Sequence, residues 1–251
     1  MSERVVFVTG ASGGVGRGIA HACGAAGWTV WIAARREAEG TEVAKEVDAL
    51  GGQGRFVHCD AGVAASVAAA IDEVVATSGH LDGVVHNATS GLSPRPVVFP
   101  DVPIGDLEDH VAVAVRGLHI LARCTFPHLR DSKGAMVVLT SEAGFEGKAK
   151  LSPYAGVKAA QRGIVRGLAR EWGPHGIRVN CIAPLATTPA MEQALVLDPE
   201  MEARLMGRNP LRRLGDPDGD IGPVVRFLLS ADAAYVTGNT VMVDGGSCPI
   251  N

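Results

Sequence analysis

Short β-branched runs alternate with longer, Ala-rich helical stretches along the whole 251-residue chain, and this alternation restricts the fold more than any other feature. Seven runs read as strands: Val5–Thr9, Thr29–Ala33, Arg55–Cys59, Gly83–His86, Ala135–Thr140, Arg178–Ile182 and Thr240–Val243. Helical patterns fill the gaps over Val15–Ala26, Ala38–Leu50, Val63–Ser78, Leu107–Leu129, Tyr154–Trp172 and Ile221–Leu229. Repeated strand–helix–strand units make parallel pairs, because a parallel neighbour is reached only through a crossover. Right-handed crossovers then predict an α/β fold with a single doubly wound parallel sheet, helices on both faces and ligands at the carboxyl ends of the strands. No Pro/Ser linker or internal repeat interrupts the chain, so residues 1–251 are expected to form one domain. The irregular stretch from Pro184 to Pro210 carries two short helical pieces and the apolar residues Met191, Leu195, Val196, Met201, Leu205 and Met206. A long excursion after a strand reads as a substrate lid, here at about 185–210, with a plain pair of surface helices as the alternative.

Two motifs carry chemistry. Thr9-Gly10-Ala11-Ser12-Gly13-Gly14-Val15-Gly16 joins the first strand to the first helix. Glycines let the backbone turn tightly against a pyrophosphate, and the following helix offers free N–H groups and the positive end of its dipole. The spacing G-x-x-x-G-x-G departs from the usual G-x-G-x-x-G. The second motif is Tyr154-Ala155-Gly156-Val157-Lys158, which opens a helix and places Tyr154 and Lys158 on one face. A nearby ammonium favours phenolate and is expected to bring the tyrosine towards working pH. Ser141 ends a strand thirteen residues before Tyr154, where its hydroxyl could hold a carbonyl oxygen.

With these motifs stand Cys59-Asp60-Ala61, His86-Asn87-Ala88, Arg178-Val179-Asn180 followed by Pro184, Tyr235-Val236-Thr237-Gly238 and Val243-Asp244-Gly245-Gly246. In this order and across its whole length, the chain resembles the short-chain dehydrogenase/reductase family. The resemblance implies a Rossmann-type fold and an NAD(P)-dependent oxidoreductase that moves hydride between the nicotinamide and a carbonyl or alcohol carbon. It implies Tyr154 as general acid/base, Ser141 as the group orienting the substrate oxygen, and Lys158 as ribose ligand and tyrosine tuner. It places cofactor contacts at Gly10, Ser12, Gly14, Val15, Gly16, Asp60, Ala61, Asn87, Ala88, Tyr154, Lys158, Pro184 and Thr187, and a homotetramer or homodimer follows from it alone.

The end of the second strand reads Ile32-Ala33-Ala34-Arg35-Arg36. An NAD-preferring site places an acid there for the ribose hydroxyl, and Ala34 stands in its place. Arg35 offers a planar fork suited to a 2′-phosphate, so NADP is expected, with NAD as the alternative. A solvated arginine pair balanced by Glu37 and Glu39 is the bland reading. Three departures from the family pattern stand out: Thr89 follows His86-Asn87-Ala88, Leu185 follows Pro184, and Ala114 occupies the place of a helix asparagine. His110 and His119 share that helix and either could reach the cleft. Glu142 follows Ser141 directly and could contact substrate, with an exposed strand-end carboxylate as the bland reading.

Composition excludes more than it assigns. A net charge of −4 argues against a nucleic-acid footprint. No apolar run is long enough to span a bilayer, and the short Val5–Val8 run is too brief for a leader, so a cytoplasmic location is expected. Five scattered cysteines read as reduced core thiols, and no His or Cys spacing suggests a metal. The expected substrate is a small, fairly apolar carbonyl or alcohol compound, since the lid residues are apolar. Two rival readings remain: a dinucleotide-binding sensor or scaffold with little turnover, and a lyase or epimerase using Tyr154 without net redox change.

Overall fold

Val5 and Phe7 pack on one side of the first strand, Val6 and Val8 on the other, and all four are buried. A strand covered on both sides must read as an unbroken apolar run, because successive side chains alternate between faces. The computed structural model describes residues 4–93, 95–198 and 200–248. The ends of the expected 1–251 domain and Pro199 within the expected lid lie outside the described residues.

Strands β1 (Val5–Thr9), β2 (Thr29–Ala34), β3 (Gln53–His58), β4 (Gly83–His86), β5 (Ala135–Leu139), β6 (Arg178–Pro184) and β7 (Thr240–Val243) form one all-parallel sheet. Their order is β3-β2-β1-β4-β5-β6-β7. The helices are α1 (Gly14–Gly24), α2 (Glu37–Ala49), α3 (Ala64–Ser78), α4 (Ile104–Val111), α5 (Gly117–Ser132), α6 (Ala143–Glu146), α7 (Ser152–Trp172), α8 (Pro189–Leu197), α9 (Glu200–Arg208) and α10 (Gly222–Leu229). Ile19 and Cys23 of α1, Val43 and Val47 of α2, and Val225 and Leu228 of α10 cover one face of the sheet. Val67, Ile71 and Val74 of α3, Leu118 and Leu121 of α5, and Val165 and Trp172 of α7 cover the other. The fold is the expected doubly wound α/β sheet.

The chain builds outwards from β1 to β3 and then returns to place β4 on the opposite side of β1. The crossovers diverge there and open a crevice above the carboxyl ends of β1 and β4, where ligands bind in sheets of this kind. One expected helix differs. The pattern over Leu107–Leu129 predicts continuous α-helix, but α4 and α5 are joined by a π-helical turn at Ala112–Arg116. Among the described residues, no helix is long and apolar enough to cross a membrane.

Candidate active site

The cleft above β1 and β4 holds about 640 Å³, within the range of small-molecule and cofactor sites. Its inner wall is stitched by side chains at two strand ends. The Thr9 hydroxyl accepts from the backbone N–H groups of Asn87 (3.0 Å) and Ala88 (3.1 Å), and donates to the Val85 carbonyl (3.2 Å). Asn87 Nδ2 in turn donates to the carbonyls of Thr9 and Gly10, each at 3.0 Å. Gly10 adopts φ +65°, and a Cβ there would lie 3.0 Å from the Ala88 Cα, so the turn requires glycine on both counts.

The loop leads into α1, whose N-cap Gly13 provides no side-chain capping bond. The first N–H groups of α1 are therefore left to an anion, and Ser12, Gly13, Gly14 and Val15 line the cleft beside them. Gly16 does not line it; a Cβ at Gly16 would come 2.5 Å from the Gly10 carbonyl oxygen, so this glycine serves the close packing of helix on loop. Arg35, Asp60, Ala61, Asn87, Ala88 and Pro184 all line the cleft, whereas Thr187 is exposed and lies outside its lining. The neighbouring Thr188 faces it instead, next to Gly14. Arg36 was not expected at the site. Its Nη2 donates to Ser12 Oγ (3.1 Å), while Arg35 Nη1 stands 4.0 Å from an Asp60 carboxylate oxygen. Two guanidinium groups thus meet at the outer end of the glycine loop. An uncapped helix, a glycine turn and this cationic rim fit a phosphate-bearing dinucleotide.

At the other end of the cleft, the segment just after β5 delivers Ser141, and the first two turns of α7 deliver Tyr154 and Lys158. The Ser141 hydroxyl accepts from the Ala143 N–H (3.2 Å) and stands near enough to the Tyr154 phenol to oppose part of the rise in its pKa. Lys158 Nζ donates to the Leu139 carbonyl (2.7 Å) and stands 5.7 Å from the centre of the Tyr154 ring. Thr140 Oγ1 donates to the Lys158 carbonyl (2.8 Å), tying α7 to the end of β5. The expected tuning of tyrosine by lysine is not what governs this geometry. Burial raises the Tyr154 pKa and the Ser141 hydroxyl only partly opposes it, while burial lowers Lys158 to about 8. Both groups lose solvation of their charged forms before any cofactor charge is present, and that outweighs their mutual influence.

The structure separates the two candidate histidines. His119 is exposed, whereas buried His110 meets the Tyr154 ring edge-on, with ring centres 6.4 Å apart, and bonds Ser93 Oγ through Nδ1 at 3.1 Å. Ala114 lies inside the π-turn, buried, and its carbonyl accepts from Gln161 Nε2 (3.0 Å) on α7. A carboxamide therefore reaches the helix position where the family resemblance leads one to look for asparagine, but from the opposite helix. Behind it, both ring nitrogens of fully buried His86 lack hydrogen-bond partners among the described residues, as does Gln161 Oε1. Burial, with the Lys158 charge adding to it, pushes His86 down to about 3 and keeps it neutral.

Glu142 departs from the blander of its two readings. It is buried rather than exposed, lines the cleft beside Ser141, and forms an ion pair with Lys148, which lines the cleft too. The sequence offered one signal for this: Lys148 follows Gly147, whose φ of +68° turns the chain back on itself. Above, Met191 of α8 with Met201 and Leu205 of α9 close the apolar side.

Known proteins place this arrangement. A family model described as enoyl-(acyl carrier protein) reductase matches residues 10–247. The 7α-hydroxysteroid dehydrogenase of Escherichia coli is 32% identical over 98% of this chain and 94% of its own. The L-fucose dehydrogenase of Oryctolagus cuniculus is 32% identical over 97% of this chain and 84% of its own. A solved 7α-hydroxysteroid dehydrogenase, complexed with NADH and 7-oxo glycochenodeoxycholic acid, superposes with a TM-score of 0.91 at 31% identity, covering 99% of this chain and 96% of that one. The chain belongs to the short-chain dehydrogenase/reductase family, as an NAD(P)-dependent oxidoreductase acting on CH–OH groups.

Proposed function

We propose that the protein is an NADP-dependent carbonyl reductase or alcohol dehydrogenase in which Ser141, Tyr154 and Lys158 are the catalytic residues. The observation that carries this reading is the meeting of these three side chains in one cleft with the Gly10–Val15 turn. When bound, the nicotinamide supplies or accepts the hydride. The loop and the uncapped α1 terminus would hold the pyrophosphate, with Asp60, Ala61, Asn87, Ala88 and Pro184 along the rest of the dinucleotide. Arg35, Arg36 and Ser12 would take the 2′-phosphate, next to a buried Ala34 that offers no competing carboxylate. In the reducing direction Ser141 holds the substrate oxygen and the Tyr154 phenol gives it a proton. Lys158 stands one helical turn behind, where its ammonium favours the phenolate left behind.

We take residues 1–251 as one domain with a lid at about 185–210, acting on a small molecule in the cytoplasm as a homodimer or homotetramer. The relatives are named for a steroid and for a sugar, so their names leave the substrate open. The rival, a binding protein with little turnover, has no use for a phenol set beside a serine and backed by a buried lysine. Tyr154→Phe keeps the ring and removes the hydroxyl. Turnover of carbonyl compounds with NADPH should fall roughly 10²–10⁴-fold while nucleotide affinity, measured by fluorescence titration, stays nearly intact. Near-normal turnover in this variant would overturn the assignment.

A further inference from the structure

The cleft carries an ion pair that the proton chemistry does not use. Glu142 is 6% exposed, directly follows Ser141, and pairs with half-buried Lys148, six residues along the chain. Both head groups line the same cleft as Tyr154. A desolvated ion pair adds little net stability, because the loss of hydration offsets the attraction, so packing alone does not account for one here. Among the described residues neither head group has another hydrogen-bond partner. A carboxylate accepts about four hydrogen bonds and an ammonium donates three, so each keeps unused capacity beside the reacting oxygen. The segment is held in place: Glu146 pairs with Arg208 of α9 (2.9 Å), and the Lys150 carbonyl accepts from the Val97 N–H (2.8 Å).

Resting on the redox reading above, we propose that Glu142 and Lys148 form a hydroxyl-recognition subsite, and that the substrate is a neutral polyhydroxylated ketone or alcohol with a hydroxyl adjacent to the reacting carbon. Glu142 accepts from one hydroxyl and Lys148 donates to its own or a neighbouring oxygen. Charge gives an anionic substrate no advantage over a hydroxylated one. Asp109 and Lys158 line the cleft as well, so two carboxylates stand against two ammonium groups, and a substrate carboxylate or phosphate would find no net attraction. Met191, Met201 and Leu205 suit the C–H face of a ring. On this proposal the substrate keeps the apolar face expected from the lid residues and adds a hydroxylated one.

The test compares cyclohexanone, 2-hydroxycyclohexanone and 2,3-dihydroxycyclohexanone as substrates of the whole protein with NADPH. Each hydroxyl should raise kcat/KM roughly tenfold or more, as expected for a hydrogen bond to a charged partner. In the double variant Glu142→Leu/Lys148→Met the ratio between hydroxylated and plain ketone should collapse to near one. A merely structural pair would lower all three rates together and leave the ratio unchanged, which would overturn the subsite, as would a wild-type ratio near one. Ligand-observed NMR of trans-1,2-cyclohexanediol and cyclohexanol on the NADP-loaded protein separates the two readings. A diol preference that is present in the wild type and lost in the double variant supports the subsite even if no ketone is turned over, a result that would sink only the redox assignment. No diol preference overturns the subsite whatever the rates.

Discussion

Replacing Lys158 by methionine should make the nucleotide-free protein more stable while removing its activity. The ammonium is buried, and its pKa falls from 10.5 to about 8. A shift of about 2.5 units corresponds to roughly 3 kcal/mol that the charged form costs the folded state below pH 8. Methionine keeps the unbranched stem and removes the charge, but leaves the Leu139 carbonyl without its donor, which costs about 1–2 kcal/mol. The net expectation is a gain of about 1–2 kcal/mol at pH 7, a rise in Tm of roughly 2–8 °C for a chain of this size. The sign with pH follows from proton counting. Above pH 8 the unfolded lysine still binds a proton that the folded one releases, so wild-type stability rises with pH through this group, by about 1.4 kcal/mol between pH 7 and 9. Cys23, Cys59 and Cys181, raised to about 12 by burial, act in the opposite sense above pH 9, but they are present in both proteins. Urea unfolding of both proteins without nucleotide at pH 7 and pH 9 therefore isolates the lysine as a gap that narrows at the higher pH. A variant less stable at pH 7, or a gap unchanged by pH, would refute the reasoning.

Three further outcomes follow from the same geometry. Arg35→Ala and Arg36→Ala should each weaken NADPH binding roughly tenfold to a hundredfold and leave NADH nearly unchanged by calorimetry, because each removes a charge-assisted contact; equal losses for both nucleotides would remove these residues from the 2′-phosphate. Ala114→Asn should cost about 1–3 kcal/mol in urea unfolding, since the site is buried and already faced by Gln161, without raising kcat; a higher kcat with a reduced solvent isotope effect would mean that proton resupply limits the wild type. Gly18→Ala would place a methyl carbon 2.3 Å from the Pro217 carbonyl oxygen, and should lower stability by about 1–3 kcal/mol or more in thermal unfolding.

The sheet was legible because its physics is local and repeated. A strand such as Val5–Thr9 buries both faces, so it announces itself without help from its neighbours, and the run Thr240–Val243 was read to its exact ends. Ends that depend on neighbours were less legible: β3 starts at Gln53, two residues early, because it follows the register of β2. At the site, the motifs located the turn and the Tyr154–Lys158 face, while one-residue choices needed three dimensions. Thr188 rather than Thr187 faces the cleft, and Arg36 joins Arg35 because its long arm folds back onto Ser12. The choice between the two readings of Glu142 was not legible, since burial of a carboxylate depends on a partner, and Lys148 arrives only when Gly147 bends the chain. The expected lysine effect on Tyr154 failed for a similar reason, as desolvation is a property of the surroundings and leaves no mark in spacing.

The π-turn at Ala112–Arg116 works as a gear offset within one helix. A turn of this kind spends one residue more than an α-turn, so the sequence register of α4 is offset by one residue from that of α5 while the helix keeps its rotational phase. The same residue carried in regular α-helix instead would swing α4 by about 100° against α5. Leu118 and Leu121 would stay anchored on the sheet, while His110 would rotate off the Tyr154 ring. The smallest change a reading frame allows, one codon, is thus absorbed inside the turn, and the cleft-facing end of this helix keeps its aim over the core that holds it.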